Sequence, residues 1–170
     1  MSLPDELASF TGRLLAVRGI DKSLTADVSR AITAETERYA FAYTVPATQG
    51  LHRAATIAGA TRALGMVAKY RRSPNSKDSL GSNFSRIPGA KEGLAERLSL
   101  VVDLDVEQAA QVLEGLVSRA NDARIPINFF ELVNVLTFWD TGDPDRDLAH
   151  RSRLLFDFYT RPSTSIKKEA

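Results

Sequence analysis

The sequence predicts an all-α fold, and three observations support that prediction. Apolar residues recur at helical spacings along most of the chain, helix-start signals precede several of these segments, and no hairpin signal is evident. The chain of 170 residues is 44% apolar and 25% charged, close to globular averages, so most of it should fold. We expect two small helical bundles joined by a flexible seam, over residues 1–90 and 91–162, and a frayed tail over 163–170.

Short helices are predicted in the amino-terminal part of the chain. The first carries the apolar stripe Leu3, Leu7, Phe10, Leu14 and Val17 and is expected to end before Gly19. Ser23 is expected to cap a second short helix over residues 24–32. A third helix carries Tyr39, Phe41, Tyr43 and Val45 before the helix breaker Pro46, and its aromatic side chains are expected to fill the core.

The middle of the chain predicts one long helix followed by irregular structure. Residues 51–70 are rich in alanine and lack proline, which is typical of a central helix approached closely on several sides. Residues 73–79 are polar and without periodicity, so they are expected to form the flexible loop of the seam. One or two helical turns should follow over 80–87, and a helix is favoured over a strand for 91–102.

The remaining helices are marked by their capping residues. The three predicted starts are Asp105 with Gln108, Asn128 with Glu131, and Asp143 with Pro144 at the first helical position. The helix after Asn128 should turn inward the side chains Phe129, Leu132, Val133, Leu136 and Trp139. In the last helix we expect Leu148, Leu155, Phe158 and Tyr159 to pack, and Arg146, His150, Arg153, Asp157 and Arg161 to line the opposite face.

Residue counts exclude or disfavour several functional classes. The absence of cysteine excludes disulfides, cysteine-ligated zinc, iron–sulfur clusters and a thiol nucleophile. The two histidines, His52 and His150, lie in different predicted helices, and residues 143–154 start like an EF-hand loop but lack its glycine and final glutamate. We therefore expect a non-enzymatic protein without metal or cofactor, with a hydrolase that uses scattered aspartates as a minority alternative.

No segment suggests a membrane protein. The amino terminus lacks a basic region followed by an apolar stretch, and no uninterrupted apolar run approaches the ~18 residues of a membrane span. We expect a soluble, cytoplasmic protein.

Charge is segregated along the chain although the formal net charge is +1. Residues 50–91 hold eight basic residues and one acidic residue, a net charge of +7, whereas residues 92–147 carry a net charge of −8. Residues 148–168 return to a net charge of +4. Such a positive block favours a localised surface for a polyanion, because phosphate contacts dominate sequence-independent binding of nucleic acid. Charge runs are also commonly solvated faces, so composition leaves both interpretations open.

Several segments resemble a known family. In the carboxyl-terminal half these are IPINFFEL at 125–132, LTFWD at 136–140 and RLLFDFY at 153–159. Together with the turn Ser79-Leu80-Gly81, which leads to Phe84 and Arg86, they resemble the CasB small-subunit family of the type I-E CRISPR Cascade complex. Arg97 matches a basic position of that family, whereas Leu98 stands where a second arginine is common and Asp103 where a neutral or basic residue is expected.

The resemblance implies a non-catalytic helical subunit, present as two copies along a crRNA-guided complex. Its implied partners are the large subunit, the backbone subunits and a second copy of itself, together with crRNA and target DNA. In such complexes the guide RNA reads the target by base pairing, and the small subunits help to hold the R-loop, including the displaced strand. Neutralising the phosphate backbone, without reading sequence, is sufficient for that task.

The candidate phosphate contacts are basic residues in or beside the positive blocks. They are Arg62, Lys69, Arg71, Arg72, Lys77, Arg86 and Arg97, with Arg151 and Arg153 of the last helix as extensions of the path. Cations at the end of the central helix also complement its dipole, and Arg97 and Arg119 can equally pair with nearby acidic residues. The alternative function is a purely structural adaptor whose charges dock it onto other subunits.

Overall fold

The computed structural model describes residues 1–16 and 21–160, and within these ranges the chain forms helices and no strands, which confirms the all-α prediction. The helices are α1 (Asp5–Leu15), α2 (Lys22–Ser29), α3 (Phe41–Ala47), α4 (Ala54–Tyr70), α5 (Leu80–Ser85), α6 (Ala95–Val101), α7 (Val106–Asp122), α8 (Phe129–Thr137) and α9 (Pro144–Tyr159). The predicted end of the first helix before Gly19 and the predicted tail at 163–170 lie outside the described residues. No described helix has the length and hydropathy needed to cross a membrane.

Helix α2 starts at a different cap from the predicted one. The carboxylate of Asp21 accepts a hydrogen bond from the backbone N–H of Ser23 at 2.8 Å, so Asp21 rather than Ser23 is the cap. The helix ends at Ser29, and a 3-10 turn over Arg30–Ile32 completes the predicted segment. Both residue types cap helices well, and the one placed immediately before the first turn takes the role.

Of the aromatic side chains predicted to fill the core around the third helix, only Tyr43 packs against it, and the prediction is wrong for Tyr39 and Phe41. Tyr39 and Phe41 are 47% and 44% exposed, and the neighbouring Val45 is 54% exposed. Residues two apart lie on nearly opposite sides of a helix, so this alternating set cannot share one face. A 3-10 turn over Glu37–Ala40 leads into α3, and the smaller side chains of Ala40, Thr44 and Ala47 take the buried positions instead.

Helix α4 is the centre of the fold, as predicted. Twelve of its 17 residues are buried, on all sides of the helix. It packs against α1, α2, α7 and α8, so helices from both halves of the chain cover it. Close approach to α8 depends on Gly59, since a Cβ atom there would overlap the carbonyl oxygen of Leu136.

The segment predicted as a flexible seam is held in place on both sides. Ser76 and Ile127 are joined by a backbone hydrogen bond of 2.9 Å, and Ile127 N donates to Pro74 O at 3.1 Å. The amide of Asn83, in α5, donates to Ser76 Oγ at 2.9 Å. Helix α5 itself is buried and packs on α9, so one continuous core includes both predicted bundles. The flexible seam is therefore corrected to an ordered connection; whether residues 1–90 and 91–162 fold separately stays a prediction.

The N-cap residues predicted for the later helices are confirmed, but the reciprocal bond of a capping box is not formed at Asn128, whose N–H donates to Asn83 Oδ1 at 2.8 Å. Asp105, Asn128 and Asp143 accept hydrogen bonds from backbone N–H groups of Gln108, Glu131 and Arg146, at 2.8, 3.0 and 3.2 Å. Pro144 is the first residue of α9, and residues 95–101 form the helix α6 rather than a strand. Trp139 is fully buried and donates its Nε1–H to Leu104 O at 2.9 Å, which confirms its predicted packing role.

Helix α9 packs on a face that only partly matches the predicted one. Leu155 and Phe158 pack on the core as predicted, and Leu154 joins them, but Leu148 and Tyr159 are 52% and 61% exposed. The inward position near the start of the helix is taken by Asp147, whose carboxylate accepts hydrogen bonds from the backbone N–H and the hydroxyl of Thr141. These bonds outweigh the effect of burial and lower the pKa of Asp147. At this turn the buried position therefore holds the hydrogen-bonded carboxylate of Asp147, where the sequence predicted the apolar side chain of Leu148.

We expect His150 to make the stability of the protein depend on pH near neutrality. Burial lowers the pKa of its imidazole, and its Nε2 atom has no hydrogen-bond partner within the described chain. In the unfolded chain a histidine titrates at about pH 6.5, so below that pH the unfolded state binds more protons than the folded state. We therefore expect the free energy of unfolding to fall as the pH drops from 7 to 5.5.

The variant His150→Gln tests this expectation, because it keeps a polar side chain but does not titrate. Urea unfolding at several pH values should show a smaller loss of stability in the variant than in the wild type over this range. An equal loss in both proteins would contradict the assignment to His150.

Candidate nucleic-acid interface

The nine candidate phosphate contacts fall into three groups in the structure. In the first group the guanidinium is occupied by internal bonds; its members are Arg62, Arg71 and Arg151. In the second an exposed cation is paired with one carboxylate; its members are Lys69, Arg86 and Arg153. The third contains exposed cations without an ion pair among the described residues; its members are Arg72, Lys77 and Arg97.

Arg62 lies inside the fold, with 2% of its side chain exposed. Its Nε and Nη2 donate to the two carboxylate oxygens of Glu107 at 2.8 and 2.9 Å. Its Nη1 donates to Glu37 Oε2 at 2.7 Å and to Ala31 O at 2.8 Å. Burial lowers the pKa of the guanidinium, but the hydrogen bonds to Glu107 and Glu37 outweigh it and leave the pKa raised. Arg62 is therefore corrected from a phosphate contact to a structural cation, since a phosphate would have to displace two carboxylates.

Arg71 and Arg151 are helix-end clamps. Arg71, directly after α4, donates from Nε to Leu14 O at 3.0 Å and from Nη2 to Ala16 O at 2.8 Å, which satisfies carbonyls at the end of α1. Arg151 donates from Nε to Trp139 O at 2.7 Å and lies over the Trp139 ring at 5.1 Å. These bonds leave fewer N–H groups for a phosphate, but they do not neutralise the charge, so phosphate contacts by Arg71 and Arg151 stay a prediction.

The three paired cations differ in how strongly they are held. Lys69 Nζ lies 3.0 Å from Glu114 Oε1, and this hydrogen bond raises the pKa of Lys69. Arg86 Nη2 reaches back along α5 to Asp78 Oδ2 at 2.6 Å. Arg153 is 79% exposed, and its Nε is 3.8 Å from Asp157 Oδ2. Exposed pairs of this kind contribute little to stability, so a phosphate can compete for the cation.

Arg72, Lys77, Arg86 and Arg153 lie on segments that precede, follow or pack on helix α5, and we call this set the α5 surface. Arg72 and Lys77 lie on the ordered connection between α4 and α5, and Arg86 directly follows α5. Arg153 reaches the same region because α9 packs on α5, with Gly81 beneath its backbone.

A carboxylate sits under this surface as well. Glu131 accepts a hydrogen bond from the backbone N–H of Leu80, the first residue of α5, at 2.7 Å. Burial raises the pKa of Glu131, and the nearby carboxylate of Asp157 raises it further. Glu131 therefore caps α5 from a neighbouring helix, a role that its predicted pairing with Asn128 did not indicate.

A comparison with protein families decides the relationship of this chain. A family model described as CRISPR-associated protein Cse2 matches residues 22–159, from the start of α2 to the end of α9. The chain belongs to the Cse2 family. Neither the search of curated proteins nor that of solved structures gave a match.

Membership brings a coarse role with it. Cse2-family proteins are structural components of the CRISPR Cascade complex, so this Cse2-family chain associates with other Cascade subunits.

The turn Ser79-Leu80-Gly81 has a clear structural role in this fold. Leu80 is buried and Ser79 caps α5, while the lack of a side chain at Gly81 lets α5 approach the backbone of α9.

Two surface features of this Cse2-family chain were not predicted. Tyr39 is exposed between Arg30 and Arg38, whose guanidinium carbons lie 4.8 and 4.9 Å from its ring centre. An open groove between α6 and α7 carries Arg97 and Arg119 on its walls. The sequence did contain an indication that Tyr39 is exposed. Aromatic residues alternate every two positions around it, and this spacing does not match the buried face of a helix.

Proposed function

We propose that this Cse2-family subunit holds nucleic acid in the Cascade complex without reading its sequence, stabilises the crRNA–target R-loop and contacts the displaced DNA strand in particular. It would act in the cytoplasm, between the large and backbone subunits and beside a second copy of itself. The proposed contacts are the cations of the α5 surface, Arg72, Lys77, Arg86 and Arg153, with Lys69 at their margin. The subunit would bind phosphates there through their charge alone, whereas the guide RNA recognises the target bases by pairing.

The observation that carries this proposal is that the cations of Arg72 and Lys77 are available to a ligand. Both side chains are exposed, and neither forms an ion pair with a described residue. Their loop is ordered by the bonds between Ser76 and Ile127 and between Ser76 and Asn83. A strand binding there would therefore gain charge neutralisation while ordering little backbone, which reduces the entropy lost on binding.

Removing these two cations should weaken the binding of nucleic acid and reduce the dependence of its affinity on salt concentration. For the double variant Arg72→Ala/Lys77→Ala we expect lower affinity for single-stranded DNA of two unrelated sequences. The slope of log affinity against log salt should flatten by about 1.4 units, since each contact with a single strand contributes about 0.7. Fluorescence anisotropy with labelled oligonucleotides over a salt series measures both quantities.

The matched control is Arg119→Ala/Arg146→Ala, which removes the same charge from exposed positions in the acidic block. It should retain the wild-type slope, because the lost charge lies away from the α5 surface. A wild-type protein that binds no single strand at low salt would reject the proposal for the isolated subunit. Equal flattening in both double variants would show a general charge effect instead of a site.

The structural adaptor remains the second candidate, and one observation favours it. Leu148, Phe156 and Tyr159 project from α9 with 52%, 68% and 61% of their surface exposed. Their spacing places them along one side of the helix, a pattern typical of a surface that contacts another protein. The adaptor candidate predicts assembly with other subunits and no salt-sensitive binding of single-stranded nucleic acid.

A further inference from the structure

The groove between α6 and α7 combines an apolar floor with two cations. Its walls include Leu100, Leu104, Val112 and Leu116, and its volume is about 510 Å³. Leu100 is 67% exposed, which is unusual for a large apolar side chain beside other apolar side chains. Arg97 and Arg119 line the same groove, and neither forms an ion pair with a described residue.

The dimensions of the groove fit a helix. On the α6 side the groove is lined by Arg97 and Leu100, about one helical turn apart, and by Leu104 just after the helix ends. On α7 the lining residues Gln111, Gly115 and Arg119 are four apart and form one stripe. A bound helix with apolar side chains at three- and four-residue spacing would match the stripe on α7.

The surrounding charge argues against a phosphate chain as the occupant. Between residues 95 and 122 the sequence holds six acidic and two basic residues, and the two basic residues are the ones in the groove. A polyanion would be repelled by the acidic helices, whereas one or two carboxylates beside apolar side chains would meet Arg97 and Arg119 directly. Arg97, expected from the sequence to contact phosphate, thus has a better match in a protein carboxylate.

We propose that this groove docks an amphipathic helix of another Cascade subunit, a helix whose apolar side chains enter the groove and whose Asp or Glu side chains pair with Arg97 and Arg119. The proposal rests on membership in the Cascade complex and does not require this subunit to bind nucleic acid. Gly115 lines the groove, and a Cβ atom at this exposed position would have no neighbour within 4 Å. A larger side chain at position 115 would therefore project into the open space of the groove.

The test blocks the groove without disturbing the fold. Gly115→Phe adds an aromatic ring to the groove, and Arg97→Glu/Arg119→Glu reverses its charge. Each is co-expressed with the other Cascade subunits and crRNA, and its amount in the purified complex is measured. Incorporation should fall about tenfold or more in both, as for the loss of central interface contacts.

The control Gly93→Phe adds the same ring at another exposed glycine whose Cβ atom would also meet open space, outside the groove lining. It should be incorporated like the wild type. Normal incorporation of both groove variants would overturn the proposal. Each isolated variant is also assayed for thermal unfolding and single-strand binding. Normal values there, together with lost incorporation, would support docking even if the wild type binds no nucleic acid.

A photo-crosslinker identifies the occupant directly. Gln111, exposed at the edge of the groove, is replaced by p-benzoylphenylalanine, and the assembled complex is irradiated and analysed by mass spectrometry. The expected product joins position 111 to a helical segment of a different subunit, with Asp or Glu within one turn of the linked residue. Crosslinks to a second copy of this chain or to nucleic acid, or none at all, would overturn the proposal.

Discussion

Replacing Arg62 with alanine is expected to destabilise the protein by about 3–5 kcal/mol, the range found when a buried ion pair loses one partner. The guanidinium holds three separate parts of the chain: the carbonyl of Ala31, the carboxylate of Glu37 and both carboxylate oxygens of Glu107. Its loss leaves these oxygens without their donor and opens a void in a site that is 2% exposed. The midpoint and slope of urea unfolding measure the effect.

Two further variants separate the causes of this loss. Glu107→Gln should cost about 1–2 kcal/mol, because Glu37 still pairs with Arg62 and the glutamate side chain is 44% exposed to water. Arg62→Lys retains the charge but loses the two-point geometry with Glu107, so its stability should lie between the other two. If Arg62→Ala left stability unchanged and weakened binding of nucleic acid, Arg62 would be a phosphate contact after all.

Replacing Gly59 with alanine is expected to destabilise the fold by about 3 kcal/mol, the upper part of the range for overpacking. The added Cβ atom would overlap the carbonyl oxygen of Leu136, so α4 and α8 would have to move apart along their contact. Neither backbone can yield locally, because both helices are packed on other sides. Thermal or urea unfolding measures the change.

The matched control is Gly115→Ala in α7, where the same methyl group meets open space. Alanine is the better helix former, so this variant should gain about 0.5–1 kcal/mol. Similar losses in both variants would show that the lack of a side chain at Gly59 is not needed for the approach of α8.

Sequence patterns were sufficient where the cause of a structure is local. A cap needs a side chain two or three residues from the N–H it accepts, so Asp105, Asn128 and Asp143 could be identified from spacing. The central helix was equally accessible, because twenty residues without proline and with many alanines favour little else. The matched family segments in α8 and α9 fall in this well-determined part of the chain.

The candidate site was harder to predict from the sequence. Whether an arginine is exposed or bonded inside the fold depends on residues that are distant in the sequence. Arg62 meets Glu107 and Arg71 meets Leu14, at sequence separations of 45 and 57 residues. No local pattern distinguishes such a residue from Arg72, which follows directly in the chain and is exposed. Charge density therefore indicated the positive block but could not separate the internally bonded Arg62 and Arg71 from the exposed Arg72.

The pairing of early with late helices affects how the protein can be made. Helix α4 is buried on nearly every side, yet its partner α8 begins about sixty residues after α4 ends, and α5 likewise packs on the much later α9. During translation α4 can pack on α1 and α2, but the side that α8 covers stays exposed until the last quarter of the protein leaves the ribosome. The order of the helices therefore predicts that the nascent chain is most prone to aggregate before α8 and α9 have been made.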